Sequence, residues 1–252
     1  MNERHLMLIS GWGADEKPMR ELAEQLGVKD FTALGLRQLY ETGTASAKGA
    51  SDDLSVFARG LSEIVDKTAG KVDVVGWSTG GIIALELARI EPAEFGRLVL
   101  LSSTPKFCKS DDFPDGIPPK TLKAMLLGLR RSSERTLKDF LNQAARPAWL
   151  DEEQLEEGVA DALSQREEVL SEGLKYLKTS DFRDGLSNVQ GPCLILHGGC
   201  DNIIPCGAPQ WLDESLPNSE SFIYSEGGHL LLQQYGSDVV NRISNFLEMK
   251  KV

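Results

Sequence analysis

A chain of 252 residues can bury one sizeable core, and its 41% hydrophobic and 26% charged residues are ordinary for a globular protein. The formal net charge of -11 argues against general nucleic-acid binding, which needs a basic surface to neutralise phosphates, and no apolar run approaches membrane-spanning length. The four cysteines (Cys108, Cys193, Cys200 and Cys206) fit no zinc spacing, and MNERHLMLIS is too short for an export signal, so reduced thiols and a cytoplasmic location are expected.

Short apolar runs alternate with helical patterns, which predicts a mostly parallel sheet flanked by helices. HLMLIS (5–10) reads as the first strand, followed by a helix over about 16–26, the strand FTALGL (31–36) and a helix over about 52–68. VDVVGW (72–77) is the third strand. In the helix after it (79–91), Ile82, Ile83, Leu85, Leu87 and Ile90 make a broad apolar face, and Pro92 ends the pattern. RLVLLSS (97–103) is the fourth strand. From Lys106 to about Arg183 the alternation stops, and TLKAMLLGL, SERTLKDFLNQAA, DEEQLEEGVADAL and REEVLSEGLKYL all read as helices. The pattern then resumes with strand CLILHG (193–198), a helix over 207–215, strand SFIYS (221–225) and a helix over about 235–249. The expected organisation is a core formed by residues 1–105 and 184–252, with a helical cap, 106–183, inserted after the fourth strand.

The cap's charge is split. Lys120, Lys123, Arg130, Arg131, Arg135, Lys138 and Arg146 dominate its first half, and acids dominate Asp151 to Glu172. Such a surface reads either as solvated helix faces or as a basic patch able to receive an acidic partner.

The stretch VVGWSTGG (74–81) carries the chemistry. Gly76-Trp77-Ser78-Thr79-Gly80 matches G-x-S-x-G at a predicted strand-to-helix junction, the context in which a serine hydroxyl is exposed on a sharp turn. A serine needs a base and a group to orient that base. Asp201 follows the fifth strand in HGGCDNIIP, and His229 follows the sixth in SEGGHLL. Parallel sheets gather such loops beyond the carboxyl ends of their strands, and Ser78…Asp201…His229 is the order in which this kind of triad occurs. His5 and His197 lie within strands and read as structural. SGWG (10–13) follows the first strand, so the backbone N–H groups of Trp12 and Thr79 are the candidate oxyanion donors. This chemistry requires no metal and no organic cofactor.

With these residues in view the chain resembles the α/β-hydrolases with a helical cap. Within them it resembles the pimeloyl-[acyl-carrier protein] methyl ester carboxylesterases of biotin synthesis. The similarity runs through SGWG, VVGWSTGG, LVLLSSTPKF, LKTSDFRDGLSNVQGPCLILHGGCDNIIP and PNSESFIYSEGGHLLL. It implies a monomeric serine esterase with no cofactor. Ser78, Asp201 and His229 would form the triad, and Trp12, Trp77, Phe107 and Phe140 would surround the acyl group. The implied partner is an acidic acyl-carrier protein, received by Arg130, Arg131, Arg135 and Arg146. The chain departs from the family pattern at Ser10, where many relatives have histidine, and at Thr79, where an apolar residue is frequent. It also shows no antiparallel strands before the first parallel one. A general short-chain carboxylesterase and a menaquinone-pathway lyase remain as alternatives on the same scaffold, and a ligand-binding protein that does not turn over is a third.

Overall fold

The computed structural model describes residues 4–46 and 53–248. In chain order the elements are β1 (His5–Ile9), α1 (Lys17–Gln25), β2 (Phe31–Leu34), α2 (Leu36–Ala45), α3 (Val56–Val65), β3 (Val72–Trp77), α4 (Thr79–Ile90) and β4 (Phe95–Leu101). Four helices follow, α5 (Pro119–Arg131), α6 (Ser133–Ala145), α7 (Glu152–Leu163) and α8 (Glu167–Thr179). The chain then completes β5 (Cys193–Gly198), α9 (Gly207–Ser215), β6 (Ser219–Tyr224) and α10 (Leu231–Phe246).

All strand pairs are parallel, in the order β2-β1-β3-β4-β5-β6. Alternate strand residues face opposite layers, as the pleat requires. Leu6, Leu8, Val75, Val99, Leu101, Leu194 and Leu196 pack with Met19 and Leu22 of α1 and with Val239 and Ile243 of α10. Met7, Ile9, Val74, Leu98, Leu100 and Ile195 pack on the other side with α2, α3, α4, α8 and α9. The strand order reverses direction between β1 and β3, which places the loops after these two strands side by side at the carboxyl edge.

Several boundaries differ from expectation. The strand read as 31–36 ends at Leu34, and Leu36 opens α2, a helix that the sequence pattern did not announce. Its Gly43 looks like a breaker but serves packing: a Cβ there would stand 1.8 Å from Val56 O. The reciprocal Gly60 of α3 would put a Cβ 2.0 Å from Leu39 O, so the two backbones touch. The helix expected from residue 235 starts at Leu231 and is kinked at Tyr235, whose φ is -133°. Residues 52 and 249, the outer ends of two expected helices, lie outside the described residues.

The two ends of the helical segment between β4 and β5 are tied to each other. Lys106 and Asp181 form an antiparallel bridge, and Phe182 N donates to Pro105 O at 2.9 Å. Farther along, Tyr176 of α8 donates its hydroxyl to Glu86 of α4 at 2.8 Å. Glu86 is only 1% exposed and also accepts from Ser55 N at 2.6 Å and Ser55 Oγ at 2.8 Å. Burial raises the Glu86 carboxyl above its ordinary range, and these donors, with Arg89 nearby, oppose that rise.

Two stability predictions follow from this packing. Gly60→Ala forces α2 and α3 apart and lowers the unfolding free energy by about 2 kcal/mol or more, read from the urea midpoint. Tyr176→Phe keeps the ring packing but removes one donor from a buried carboxylate, at a cost of about 1–3 kcal/mol in the same assay.

Candidate active site

Ser78 occupies the junction of β3 and α4 with φ 53° and ψ -119°. Positive φ is costly for a residue with a Cβ, by about 1–3 kcal/mol, and persists only where the surroundings impose it. Glycines impose it here by allowing very close backbone approach. A Cβ at Gly76 would lie 2.5 Å from Gly81 Cα, and one at Gly80 would lie 2.3 Å from Ile9 O. The Ser78 carbonyl accepts from Gly81 N at 3.0 Å and from Ser103 Oγ at 2.9 Å, which fixes the turn from below.

Three of the expected residues meet above this turn. His229 Nε2 is 3.0 Å from Ser78 Oγ, and His229 Nδ1 is 2.7 Å from Asp201 Oδ2. A carboxylate oxygen accepts, so Nδ1 carries the hydrogen and Nε2 presents its lone pair to the serine hydroxyl. The other Asp201 oxygen accepts from Ile203 N at 2.7 Å and Ile204 N at 2.9 Å. Burial alone would raise the Asp201 carboxyl. The charge and hydrogen bond of His229, with His197 and the Ile204 amide, outweigh it and hold the group below its ordinary value. Asp201 is therefore ionised at neutral pH. The glycines flanking both loops have a steric purpose: a Cβ at Gly198 would stand 2.3 Å from Gly228 O, so the ends of the Asp201 and His229 loops touch. Gln234, not singled out from the sequence, accepts from Gly228 N at 2.7 Å and donates to Ala145 O at 3.0 Å, joining the His229 loop to α6.

The loop after β1 closes the arrangement. Ala14 N donates to Gly11 O at 3.3 Å across a turn whose third residue, Gly13, has φ 77°. Such a turn leaves the amide of its second residue, Trp12, without a partner inside the turn. A Cβ on Gly11 would come 3.1 Å from Ser78 Cβ, so glycine permits the close approach. Thr79 is the first residue of α4, where helical geometry leaves the N–H free of an intrahelical acceptor. Thr79 N thus follows Ser78 directly, and the residue before Trp12 packs against Ser78. Ser10 is fully buried and donates to Asp15 O.

A cavity of about 450 Å³ opens onto Ser78 and Thr79. Its walls are largely apolar, with Trp12, Phe107, Ile117, Leu122, Met125, Phe140, Leu174 and Leu177. Trp12 is held in place by donating Nε1–H to Leu170 O at 2.8 Å and by an edge-to-face contact with Phe140 at 4.9 Å. Polar residues of the cavity come mainly from the α5–α6 region: Arg131, Ser132, Arg135, Thr136 and Asp139. The lining thus includes three of the four expected acyl-site residues. Trp77 is not part of it and lies instead with its ring centroid 6.1 Å from that of His229. All four cap arginines are exposed; Arg131 and Arg135 also border the cavity, whereas Arg130 and Arg146 lie outside it. Leu174 and Leu177, one helical turn apart on α8, were not picked out from the sequence, although their spacing marks a common face.

Comparisons with known proteins agree with this architecture. Residues 7–243 match the model of the alpha/beta hydrolase family. A pimeloyl-[acyl-carrier protein] methyl ester esterase from Nitrosomonas europaea is 31% identical over 240 residues, covering 90% of this chain and 89% of the relative. Among solved structures, an esterase from Exiguobacterium antarcticum superposes with a TM-score of 0.85 at 19% identity, over 97% of this chain and 92% of that one. MenH from S. aureus superposes with a TM-score of 0.78 at 19% identity, over 98% and 94%. At such identities the structural likeness speaks for the fold alone. Fold, family model and curated relative converge: the chain belongs to the alpha/beta hydrolase family.

Proposed function

We propose that this protein is a serine carboxylesterase that hydrolyses the methyl ester of pimeloyl-acyl-carrier protein, with Ser78, His229 and Asp201 as its triad. The observation that carries this reading is the unbroken line of hydrogen bonds from Ser78 Oγ through both His229 nitrogens to Asp201, at 3.0 and 2.7 Å. The relative from Nitrosomonas europaea supports the substrate.

In this mechanism His229 Nε2 takes the Ser78 proton while Oγ attacks the ester carbonyl carbon. The Trp12 and Thr79 amides donate to the oxygen that becomes negative. The tetrahedral adduct collapses as His229 returns the proton to the methoxy oxygen, and methanol leaves. A water then gives a proton to His229 as its oxygen attacks the acyl-enzyme. His229 passes that proton to the departing Ser78 Oγ, and the released acid ionises to the free carboxylate. Asp201, kept ionised, holds the imidazole tautomer and stabilises the imidazolium at each stage.

Residues 106–183 act in this reading as a cap over the core. The apolar walls of the cavity accept the acyl chain, and Arg131 and Arg135 stand where the arm of an acidic carrier protein enters. Arg130 and Arg146 extend that positive surface outside the cavity. The menaquinone-pathway lyase reading is less well supported. It calls for cations beside the reacting groups, whereas the cationic lining residues come from the α5–α6 region and not from the loops of Trp12, Ser78 or Asp201.

Ser78→Ala should abolish hydrolysis of methyl pimeloyl-acyl-carrier protein, by about 10⁴-fold or more in kcat, with the melting temperature kept or raised by relief of the strained turn. Arg131→Ala with Arg135→Ala should raise KM for the carrier-bound ester about tenfold and blunt its salt dependence. The free methyl ester should be affected little, and steady-state kinetics on both substrates at two salt concentrations checks this.

A further inference from the structure

His197 is the penultimate residue of β5, just before Gly198, and is 0% exposed. Its Nε2 lies 3.0 Å from the carbonyl oxygen of Ile204. A carbonyl only accepts, so the hydrogen sits on Nε2, and Nδ1 is a bare nitrogen that finds no partner among the described residues. The same Nε2 is 3.5 Å from Asp201 Oδ2, the oxygen that takes the 2.7 Å hydrogen bond from His229 Nδ1. Two imidazoles therefore face one carboxylate oxygen in unequal roles. His229 bonds it directly and reaches on to Ser78. His197 is anchored to the Ile204 carbonyl and turns only the positive end of its N–H dipole towards that oxygen. Burial holds His197 neutral, below its ordinary value, and nearby His229 works in the same direction, against the pull of Asp201 and the Ile204 carbonyl.

We propose that His197 is a positioning residue for the Ser78–His229–Asp201 relay: as a neutral Nε2–H imidazole it pins the Asp201 loop through Ile204 and tempers the negative charge that Asp201 presents to His229. The inference rests on the roles proposed above for Asp201 and His229, which are also the titratable groups that act on His197. The sign of the effect follows from electrostatics. Without the N–H dipole, Asp201 Oδ2 draws harder on the His229 proton and the imidazolium is favoured. The base is then lost to protonation at a higher pH.

Two measurements test this. In ¹⁵N-histidine spectra of the wild-type protein, His197 should stay a neutral Nε2–H tautomer from about pH 5 to about pH 8. A hydrogen on Nδ1, or titration within that window, overturns the proposal. In the pH dependence of kcat/KM for p-nitrophenyl acetate, the acid limb of His197→Phe should move up by about half a pH unit or more. His197→Gln, whose amide N–H can stand where Nε2 stood, should keep the limb within about 0.2 of wild type. An unmoved limb in His197→Phe, or an equal shift in His197→Gln, overturns the proposal. A wild-type protein that cleaves no ester would instead defeat the esterase reading, and the spectra would still decide the state of His197.

Discussion

The backbone of Ser78 is held at positive φ by the crowding of β3, α4 and the β1 loop around it, and the rest of the site takes its geometry from that turn. Neither Gly76 nor Gly80 can carry a Cβ without striking neighbouring backbone. The turn is therefore sharp enough to lift the hydroxyl clear of the sheet and to leave the first amide of α4 beside it. The strain is local, and the anchor is global. About two turns farther along, α4 buries Glu86, where Ser55 of the core and Tyr176 of α8 both donate to it. The helix that presents Ser78 is thus fastened to the segment that roofs the cavity.

The parallel sheet does the remaining assembly. Its strands deliver the loops of Trp12, Ser78, Asp201 and His229 to one edge, although these residues are far apart in sequence. The loops meet through glycine contacts, as at Gly11 with Ser78 and Gly198 with Gly228. A buried carboxylate would ordinarily be costly. Asp201 is kept charged because each of its oxygens is satisfied, one by two backbone amides and the other by His229. That fixed charge holds His229 in the tautomer that can receive a proton from Ser78.

Much of this was legible from residue patterns. The β-branched runs located all six strands, and the loops after four of them supplied the candidate site residues. G-x-S-x-G was informative because it fell at a strand-to-helix junction and had an aspartate and a histidine in later strand-end loops. α2 was not legible, because Gly43 lowers helix propensity and its reason, contact with Val56, exists only in the packed fold. The start of α10 was missed for a related cause, since the kink at Tyr235 breaks the periodicity between its two parts. Side-chain direction was equally hidden. The adjacent Arg130 and Arg131 are both exposed, yet only Arg131 borders the cavity, and Trp77 packs near His229 instead of lining it. His197 reads in sequence as a strand residue, and its nearness to Asp201 emerges only when β5 and the following loop fold back on each other.

The central claim is that Ser78 is a nucleophile activated by His229 and Asp201. It is tested most directly by treating the protein with a fluorophosphonate and locating the covalent adduct by peptide mass spectrometry. The account predicts a single adduct on the peptide bearing Ser78, formed in step with the loss of esterase activity. Inactivation with the adduct on another residue, or full activity retained by a protein fully modified at Ser78, would contradict it.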